Sequence, residues 1–275
     1  MGDWFGGRAM PQHSTALIGV PSDENSSFLT GCAQAPQRIR QALHSDSANL
    51  WSERGHEVRL GDNCHDLGDL PVTGDAAGFA QVTQAVDQCL QAGNRVLSLG
   101  GDHAVTFPLV RAFAPHYADL TLLHFDAHTD LYDDFQDNPL SHASPFARIM
   151  EKQLAKRLIQ VGIRTLNDHQ RDQVKRFGVE VYGVNQCAEV VALGLTGPVY
   201  VSVDLDALDP AFAPGVSHHE PGGLSTRELI QVLHSIQGPV VGADIVEYNP
   251  TRDIHDMTAM VAAKLLREML ALMAL

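Results

Sequence analysis

The sequence contains no hydrophobic run approaching the roughly 20 apolar residues that a membrane-spanning helix needs. Residues 1–12 also lack the apolar segment of a secretory signal peptide. The four cysteines are widely spaced and form no C-x-x-C pair, which indicates reduced, incidental thiols rather than a disulfide framework. We therefore expect a cytoplasmic protein with no membrane partner.

Basic residues are also few. Lysine and arginine together number 19 against 33 aspartates and glutamates, which gives a net charge of -14. General nucleic-acid binding requires a basic patch, so this composition argues against a nucleic-acid partner. The acidic balance is compatible with a cationic substrate, and equally with an ordinary soluble acidic surface.

Six short apolar runs have the pattern of strands that are buried on both faces of a parallel sheet. The predicted strands are residues 16–20, 95–99, 121–125, 158–161, 199–203 and 240–246. Helical spacing and capping signals predict helices at residues 35–44, 79–92, 226–234 and 256–275. This alternation favours an α/β fold with a mostly parallel central sheet between helix layers. Because the sequence has no internal repeat or long linker, we expect residues 1–275 to form a single domain.

Ligand sites of open α/β sheets lie at the carboxyl ends of the strands, so a functional motif should directly follow a predicted strand. The segment Gly-Gly-Asp-His at residues 100–103 does so and brings His103 to that edge. Its glycines allow the backbone to turn tightly and approach a ligand. A single histidine in this place is more often structural, so the motif is weak when it is taken alone.

Two further predicted strands end in alternating polar residues. Asp126, His128 and Asp130 form a D-x-H-x-D pattern after the third strand. Asp204 and Asp206 follow the fifth strand in the same way. In extended backbone, alternate side chains share a face, so each set is expected to converge on one point. The alternative for the first segment is a polar loop that caps a helix.

Together, the three strand ends supply two histidines and four aspartates. So many carboxylates in one place repel one another unless cations neutralise them. If carboxylates bridge, six residues suffice for two ions, and this oxygen-rich set suits Mn²⁺ better than Mg²⁺ or the typically tetrahedral Zn²⁺. The predicted ligands are His103, Asp126, His128, Asp130, Asp204 and Asp206. His124 lies further back in its strand and is expected to support a ligand rather than to bind metal.

The set G-G-D-H, D-A-H-x-D and S-x-D-x-D-x-x-D-P resembles the metal signature of the ureohydrolases, the family of arginases, agmatinases and their relatives. Similarity extends over nearly the whole chain, through residues 25–29, 141–149, 212–224 and 257–265. These flanking segments look most like those of plant-type arginases. The resemblance implies a three-layer α/β/α sandwich, a single ureohydrolase domain over residues 1–275, and a homo-oligomer that is a trimer or a hexamer.

The resemblance also implies two Mn²⁺ ions per subunit that share two bridging carboxylates. One ion would be held by His103, Asp126, Asp130 and Asp204, and the other by Asp126, His128, Asp204 and Asp206.

The chemistry follows from the same resemblance. Two metal ions supply a strong nucleophile by lowering the pKa of water. Asp130 is expected to help relay the proton of that nucleophile, Glu247 to bind the guanidinium group, and His142 to shuttle protons near neutral pH. From the residues alone, Glu247 is equally well a surface carboxylate, and an exposed loop histidine is the alternative for His142.

The sequence says less about which guanidino compound is cleaved. Animal-type arginases carry an acidic residue where Asn167 stands here, and their polar loop before the catalytic histidine is replaced by residues 132–136. Plant-type arginases show similar departures, so L-arginine is the first choice, agmatine the second and another guanidino acid the third. Asn167 and His218 are candidate substrate contacts, with an ordinary loop role as the alternative for His218.

Two other classes of protein are alternatives to a ureohydrolase. A two-metal phosphoesterase needs a basic cluster or a glycine-rich loop to hold phosphate, whereas the loops here are acidic. A non-catalytic relative would be favoured by a missing ligand, and all six are present. We therefore expect an enzyme that hydrolyses a small guanidino substrate.

Overall fold

The computed structural model describes residues 10–274, in which eight strands form one sheet and all neighbouring strands run parallel. In chain order the strands are β1 (Thr15–Val20), β2 (Cys64–Asp69), β3 (Arg95–Gly100), β4 (Thr121–Phe125), β5 (Arg157–Val161), β6 (Glu180–Tyr182), β7 (Val199–Asp204) and β8 (Val240–Val246). Their order across the sheet is β2-β1-β3-β8-β7-β4-β5-β6.

Helices cover both faces of this sheet. They are α1 (Ala35–Leu43), α2 (Ala76–Gln91), α3 (Thr106–Phe113), α4 (Pro145–Glu151), α5 (Asp168–Phe177), α6 (Cys187–Ala192), α7 (Thr226–His234) and α8 (Met257–Met273). Neighbouring residues of one strand face opposite layers, because strand side chains alternate: Leu17 packs into the core with α1, α7 and α8, and Ile18 into the core with α2, α3 and α4. The predicted three-layer α/β/α fold is confirmed.

The six predicted strands are all present, and the two that were not predicted, β2 and β6, are the edges of the sheet. β2 has the polar sequence Cys-His-Asp-Leu-Gly-Asp, and β6 has only three residues, all half-buried. A pattern that detects burial on both faces therefore misses both strands. Helices α3 to α6 were also not predicted.

Helix α7 begins at the predicted signal, since Ser225 and Glu228 form a reciprocal capping box. The predicted end of the last helix at Leu275, and residues 1–9, lie outside the described residues. Between residues 10 and 274, no helix combines the length and the apolar character that crossing a membrane requires.

Candidate active site

Strands β3, β8, β7 and β4 are neighbours in the middle of the sheet, so the loops that follow them meet at its carboxyl edge. After β3, a short 3₁₀ turn (His103–Val105) begins, and the Asp102 carboxylate caps it by accepting the Ala104 N–H. A Cβ atom on Gly101 would collide with the carbonyl oxygen of Ser22, so only glycine allows the chain to pass here. This turn places His103 in the interior, with no exposed surface.

The segment after β4 is not extended, so the prediction of alternation along a strand is wrong here. Asp126 Oδ1 accepts the N–H of His128 at 2.6 Å, and Asp130 has a positive φ of 50°. After β7 the chain also turns, since Asp204 caps a 3₁₀ turn and accepts the N–H of Asp206 at 2.8 Å. The side chains are therefore brought together by turns that the aspartates themselves close, and not by the alternation of side chains along an extended strand.

The first of two side-chain groups surrounds His103. Its Nδ1 atom lies 3.2 Å from Asp126 Oδ2, 3.1 Å from Asp130 Oδ2 and 3.1 Å from Asp204 Oδ2. These four residues come from three strand ends and are almost fully buried.

The second group surrounds His128, whose Nδ1 atom lies 3.3 Å from Asp126 Oδ1 and 3.1 Å from Asp206 Oδ2. Asp126 belongs to both groups and turns one carboxylate oxygen to each. All six predicted ligands therefore lie together, and Asp126, His128 and Asp206 have ligand atoms close enough to hold one ion.

The surroundings of His103 indicate whether a metal ion fits. Ser202 Oγ donates its proton to Asp244 Oδ1 at 2.7 Å, so it accepts from His103 Nε2 at 3.0 Å. In a neutral imidazole, the proton is therefore on Nε2, and Nδ1 carries an unprotonated lone pair. Nδ1 is buried without a hydrogen-bond partner among the described residues. A lone pair that faces three carboxylate oxygens is stable only if a cation lies between them, so the residues fit a metal ion.

The ionisation of the metal-free cluster leads to the same conclusion. Burial lowers the pKa of His103 and His128, but the neighbouring carboxylates outweigh it and raise both pKa values. Burial, reinforced by nearby carboxylates, raises the pKa of Asp130 to about 6 and those of Asp204 and Asp206 above their usual range. Without metal, the cluster binds protons in the place that a cation would occupy.

Glu247 and His142 form a second, adjoining pair. Glu247 follows β8 with a positive φ of 61°, which is strained for a residue with a side chain. Its Oε1 atom accepts the backbone N–H of His103 at 2.9 Å and lies 2.8 Å from His142 Nδ1. Both side chains are buried. Glu247 is therefore not a surface carboxylate, and His142 is not an exposed loop histidine.

The two members of this pair shift each other's pKa. Burial raises the pKa of Glu247, but the charge of His142 outweighs burial and holds it at about 2. Burial lowers the pKa of His142, but Glu247 outweighs it and raises the value to about 9. The pair is therefore an ion pair at neutral pH in the metal-free protein.

A cavity of about 450 Å³ opens onto both groups and is lined by Asp204, Asp206, His142 and Glu247 among others. His218 also lines the cavity, with its ring 5.2 Å from that of His142. No lysine or arginine lines this cavity in the part of the chain that the structure describes.

Asn167 reaches the same cavity, but its side chain already has two partners. Its Oδ1 atom caps α5 by accepting the N–H of Gln170, and its Nδ2 atom donates to Tyr132 Oη at 2.6 Å. Asn167 therefore orients the Tyr132 hydroxyl beside the cavity.

Several contacts of the site were not found from the sequence. Cys32 Sγ lies 3.6 Å from Glu247 Oε2, and Ser27 Oγ lies 2.8 Å from His142 Nε2. Behind the cluster, a row of buried polar residues crosses five strands in register: Gln160, His124, Ser202, Asp244 and Ser98. The signal for this row was one polar residue near the carboxyl end of each apolar strand, and it becomes visible only when the strands are aligned.

His124 belongs to this row and contacts Asp126, one of the predicted ligands. Its Nε2 atom lies 2.8 Å from Asp126 Oδ2. Burial lowers the pKa of His124 to about 4, so the ring is neutral at physiological pH.

Fold and site together define a class: a three-layer α/β/α protein with a histidine–aspartate cluster, able to hold metal, at the carboxyl edge of a parallel sheet. Residues 13–271 match the model of the Arginase family. The chain belongs to this family and is a ureohydrolase, as the sequence motifs indicated.

Plant arginases are prominent among the similar proteins. Arginase 1, mitochondrial, of Arabidopsis thaliana is 48% identical, and the match covers 94% of this chain and 80% of that protein. The solved structure of arginase from Medicago truncatula matches with a TM-score of 0.89 at 44% identity, covering 94% of this chain and 87% of that one. An agmatinase of Bacillus anthracis is more distant, at 35% identity over 270 residues covering 94% and 91%. The predicted similarity to plant-type arginases is confirmed.

The expectation of a cytoplasmic protein is contradicted by the same comparison. Two Arabidopsis thaliana relatives and one from Medicago truncatula are named as mitochondrial or chloroplastic. The expectation rested on unpaired cysteines and on the lack of a secretory segment, and neither feature distinguishes one reducing compartment from another.

Proposed function

We propose that this chain hydrolyses the guanidinium group of L-arginine to give L-ornithine and urea. The observation that carries the proposal is a buried carboxylate, Glu247, in the same cavity as the histidine–aspartate cluster. A buried anion beside a metal-binding cluster suits a small cation that must be oriented before it is hydrolysed. The greater identity to a plant arginase, 48% against 35% for an agmatinase, supports arginine as the substrate.

We propose that the cluster holds two Mn²⁺ ions through His103, Asp126, His128, Asp130, Asp204 and Asp206. The two oxygens of Asp126, one turned to each histidine, support its role as a bridge. When bound, the ions would lower the pKa of water and provide a hydroxide nucleophile near neutral pH.

Glu247 is proposed to bind the substrate guanidinium. Its Oε1 atom is engaged by His103 and His142, whereas Oε2 faces a thiol, a weak donor, at 3.6 Å. Oε2 therefore keeps the capacity to accept N–H donors from a planar guanidinium group.

His142 is proposed to donate the proton that the departing amine of ornithine needs. Its raised pKa, about 9, keeps it protonated at neutral pH. Asp130 lies between the cluster and the cavity, and we propose that its carboxylate accepts the proton of the attacking nucleophile.

The experiment that tests the proposal compares urea release from L-arginine and from agmatine by the Mn²⁺-loaded chain, with kcat/KM for each. A large preference for arginine supports the proposal. No urea from either substrate, with two metal ions bound, would overturn the proposed activity and leave the metal site in place.

Agmatine is the second candidate because no lysine or arginine in the described part of the chain lines the cavity to meet a substrate carboxylate. A higher kcat/KM for agmatine would transfer the assignment to this substrate.

We also propose that residues 1–275 form one domain and that the chain is a trimer or a hexamer. The single sheet supports the former, and light scattering of the purified protein tests the latter.

A further inference from the structure

Gln160 on β5 is fully buried and lies outside all the sequence motifs. Its Nε2 atom donates one proton to the carbonyl oxygen of Thr129 at 2.7 Å and lies 3.0 Å from His124 Nδ1. The orientation of the amide is determined by the carbonyl, because an amide oxygen in that position would face another oxygen. The second N–H of Gln160 therefore points to His124 Nδ1.

This contact determines which nitrogen of His124 carries the proton. Because Nδ1 accepts from Gln160, the ring proton is on Nε2, which donates to Asp126 Oδ2 at 2.8 Å. Neither ring nitrogen then has a free lone pair. His124 is thereby excluded as a metal ligand, although its ring lies 4.9 Å from that of His103.

The orientation of Asp126 follows from these contacts. Its Oδ2 atom accepts from His124, and its Oδ1 atom accepts the N–H of His128 at 2.6 Å. With both oxygens held, the carboxylate turns one to His103 and the other to His128. Gln160 meanwhile anchors the backbone of the same loop at Thr129.

We propose that Gln160 is a positioning residue for the metal cluster. By donating to Nδ1, it fixes the tautomer of the His124 ring, so that Nε2–H holds Asp126 in the orientation that serves both ligand groups, an inference that rests on the proposed metal site.

The chain offers a matched control in Gln173 on α5. Gln173 is also buried, and its Nε2 atom also donates to a backbone carbonyl of this loop, that of Leu131, at 3.0 Å. The same Nε2 atom also donates to Asp133 Oδ1 at 2.7 Å, and Oε1 accepts from Arg176 at 3.1 Å; neither partner is a predicted ligand. Loss of a loop anchor is therefore common to both glutamines, whereas only Gln160 contacts His124.

The experiment compares Gln160→Met with Gln173→Met in the full chain. Methionine fills a similar volume and removes both N–H donors. Mn²⁺ dissociation constants are measured from the electron paramagnetic resonance signal of free Mn²⁺ during titration, and the melting temperature is followed in parallel. We expect Gln160→Met to weaken binding about 10- to 100-fold, as for other residues that orient a metal ligand, and Gln173→Met to leave the constants unchanged.

A double variant tests the path through His124. The substitution His124→Phe keeps an aromatic ring against Phe146, whose centroid lies 3.9 Å away, and removes the donor to Asp126. If Gln160 acts through His124, then Gln160→Met adds no further loss of Mn²⁺ affinity to His124→Phe. Fully additive losses would overturn the inference.

The outcomes are distinguishable from those of the proposed function. Wild-type affinity in Gln160→Met overturns the inference alone, whereas absence of Mn²⁺ binding by the wild-type chain overturns the proposed metal site and the inference with it. If Gln160→Met does not fold, Gln160→Glu replaces it, because a carboxylate has the same shape but no N–H for His124, and the same weakening is expected.

Discussion

Two clusters of charged side chains in this protein differ in how their charge is balanced. The site cluster comprises the predicted ligands His103, Asp126, His128, Asp130, Asp204 and Asp206. The helix cluster comprises Glu53, Arg227, His234, Lys264 and Glu268, and it joins α7 and α8 to a surface loop.

In the helix cluster, each carboxylate has a cationic partner. Glu268 is fully buried and accepts from Lys264, from His234 at 2.8 Å and from the backbone N–H of Glu53 at 2.9 Å. Burial raises the pKa of Glu268, but Lys264 and the other donors outweigh it and lower the value. This cluster is complete without any ligand.

In the site cluster, four aspartates share two histidines. The surrounding histidines lower the pKa of Asp126 although burial opposes this, but the pKa values of the other three, Asp130, Asp204 and Asp206, are raised. The contrast shows that burial alone does not mark a functional carboxylate. The informative feature is a surplus of negative charge that the chain leaves unbalanced, since a bound cation then has to supply the balance.

The largest expected effect comes from removing Asp126, the proposed shared ligand. We expect Asp126→Ala to abolish binding of at least one Mn²⁺ ion and to lower kcat/KM more than about 100-fold, beyond the loss for a residue that only orients a ligand. Lys264→Met, in the helix cluster, should leave metal content unchanged. Metal analysis after dialysis and urea release measure both, and full metal occupancy in Asp126→Ala would contradict the ligand assignment.

Replacing His142, the proposed proton donor, should separate catalysis from metal binding. His142→Ala is expected to lower kcat by about 10²- to 10⁴-fold, the range for a general acid or base, with Mn²⁺ content near that of the wild type. Single-turnover kinetics and metal analysis check this expectation. Loss of metal together with activity would show that His142 supports the cluster instead.

Measurements of stability distinguish the two clusters, because replacing a carboxylate by its amide should change the free energy of unfolding in opposite directions. Glu268→Gln removes a balanced buried charge and should lower the free energy of unfolding by about 1–3 kcal/mol. Asp204→Asn removes a carboxyl group whose charged form is disfavoured by burial and by the neighbouring carboxylates, so in the metal-free protein it should raise the free energy of unfolding. Urea unfolding in the presence of a chelator gives both free energies. A lower free energy of unfolding for Asp204→Asn would contradict the view that the site cluster carries surplus negative charge.

The smallest expected effect is at the exposed margin of the helix cluster. The Arg227 guanidinium, together with Lys264, holds the pKa of Glu53 at about 2, although burial opposes this. A lowered pKa contributes stability that is complete above the usual value near 4.5 and is lost as pH falls toward 2.

For Glu53→Gln we therefore expect a loss of less than about 1 kcal/mol at neutral pH, since the pair is partly exposed, and no difference from the wild type near pH 2. Unfolding curves across this pH range test the sign. If the stability difference between the wild type and Glu53→Gln grows as the pH falls, the lowered pKa of Glu53 is contradicted.

The sequence predicts the central strands and the metal cluster for one physical reason. Strands buried on both faces are continuously apolar, so a polar residue directly after one is conspicuous, as with Asp126 and Asp204. The edge strand β2 lacks this contrast because it is partly exposed.

The function of Gln160 could not be predicted, because its role depends on the register that places it beside His124 on the next strand. The left-handed backbone of Asp130 and Glu247 also has no local signal. Both conformations are imposed by contacts with distant segments, such as the bond from the Glu247 N–H to the Gly101 carbonyl.

The position of β8 has a consequence for how the site forms during synthesis. In the sheet formed by residues 10–274, β8 pairs with both β3 and β7, so the half of the sheet with His103 and the half with the four aspartates are hydrogen-bonded to each other through this strand. The ribosome completes β8 at Val246, after all six predicted ligands have been made. Until then, His103 and the four aspartates belong to separate half-sheets, so we expect the proposed metal site to form only after β8 has been synthesised.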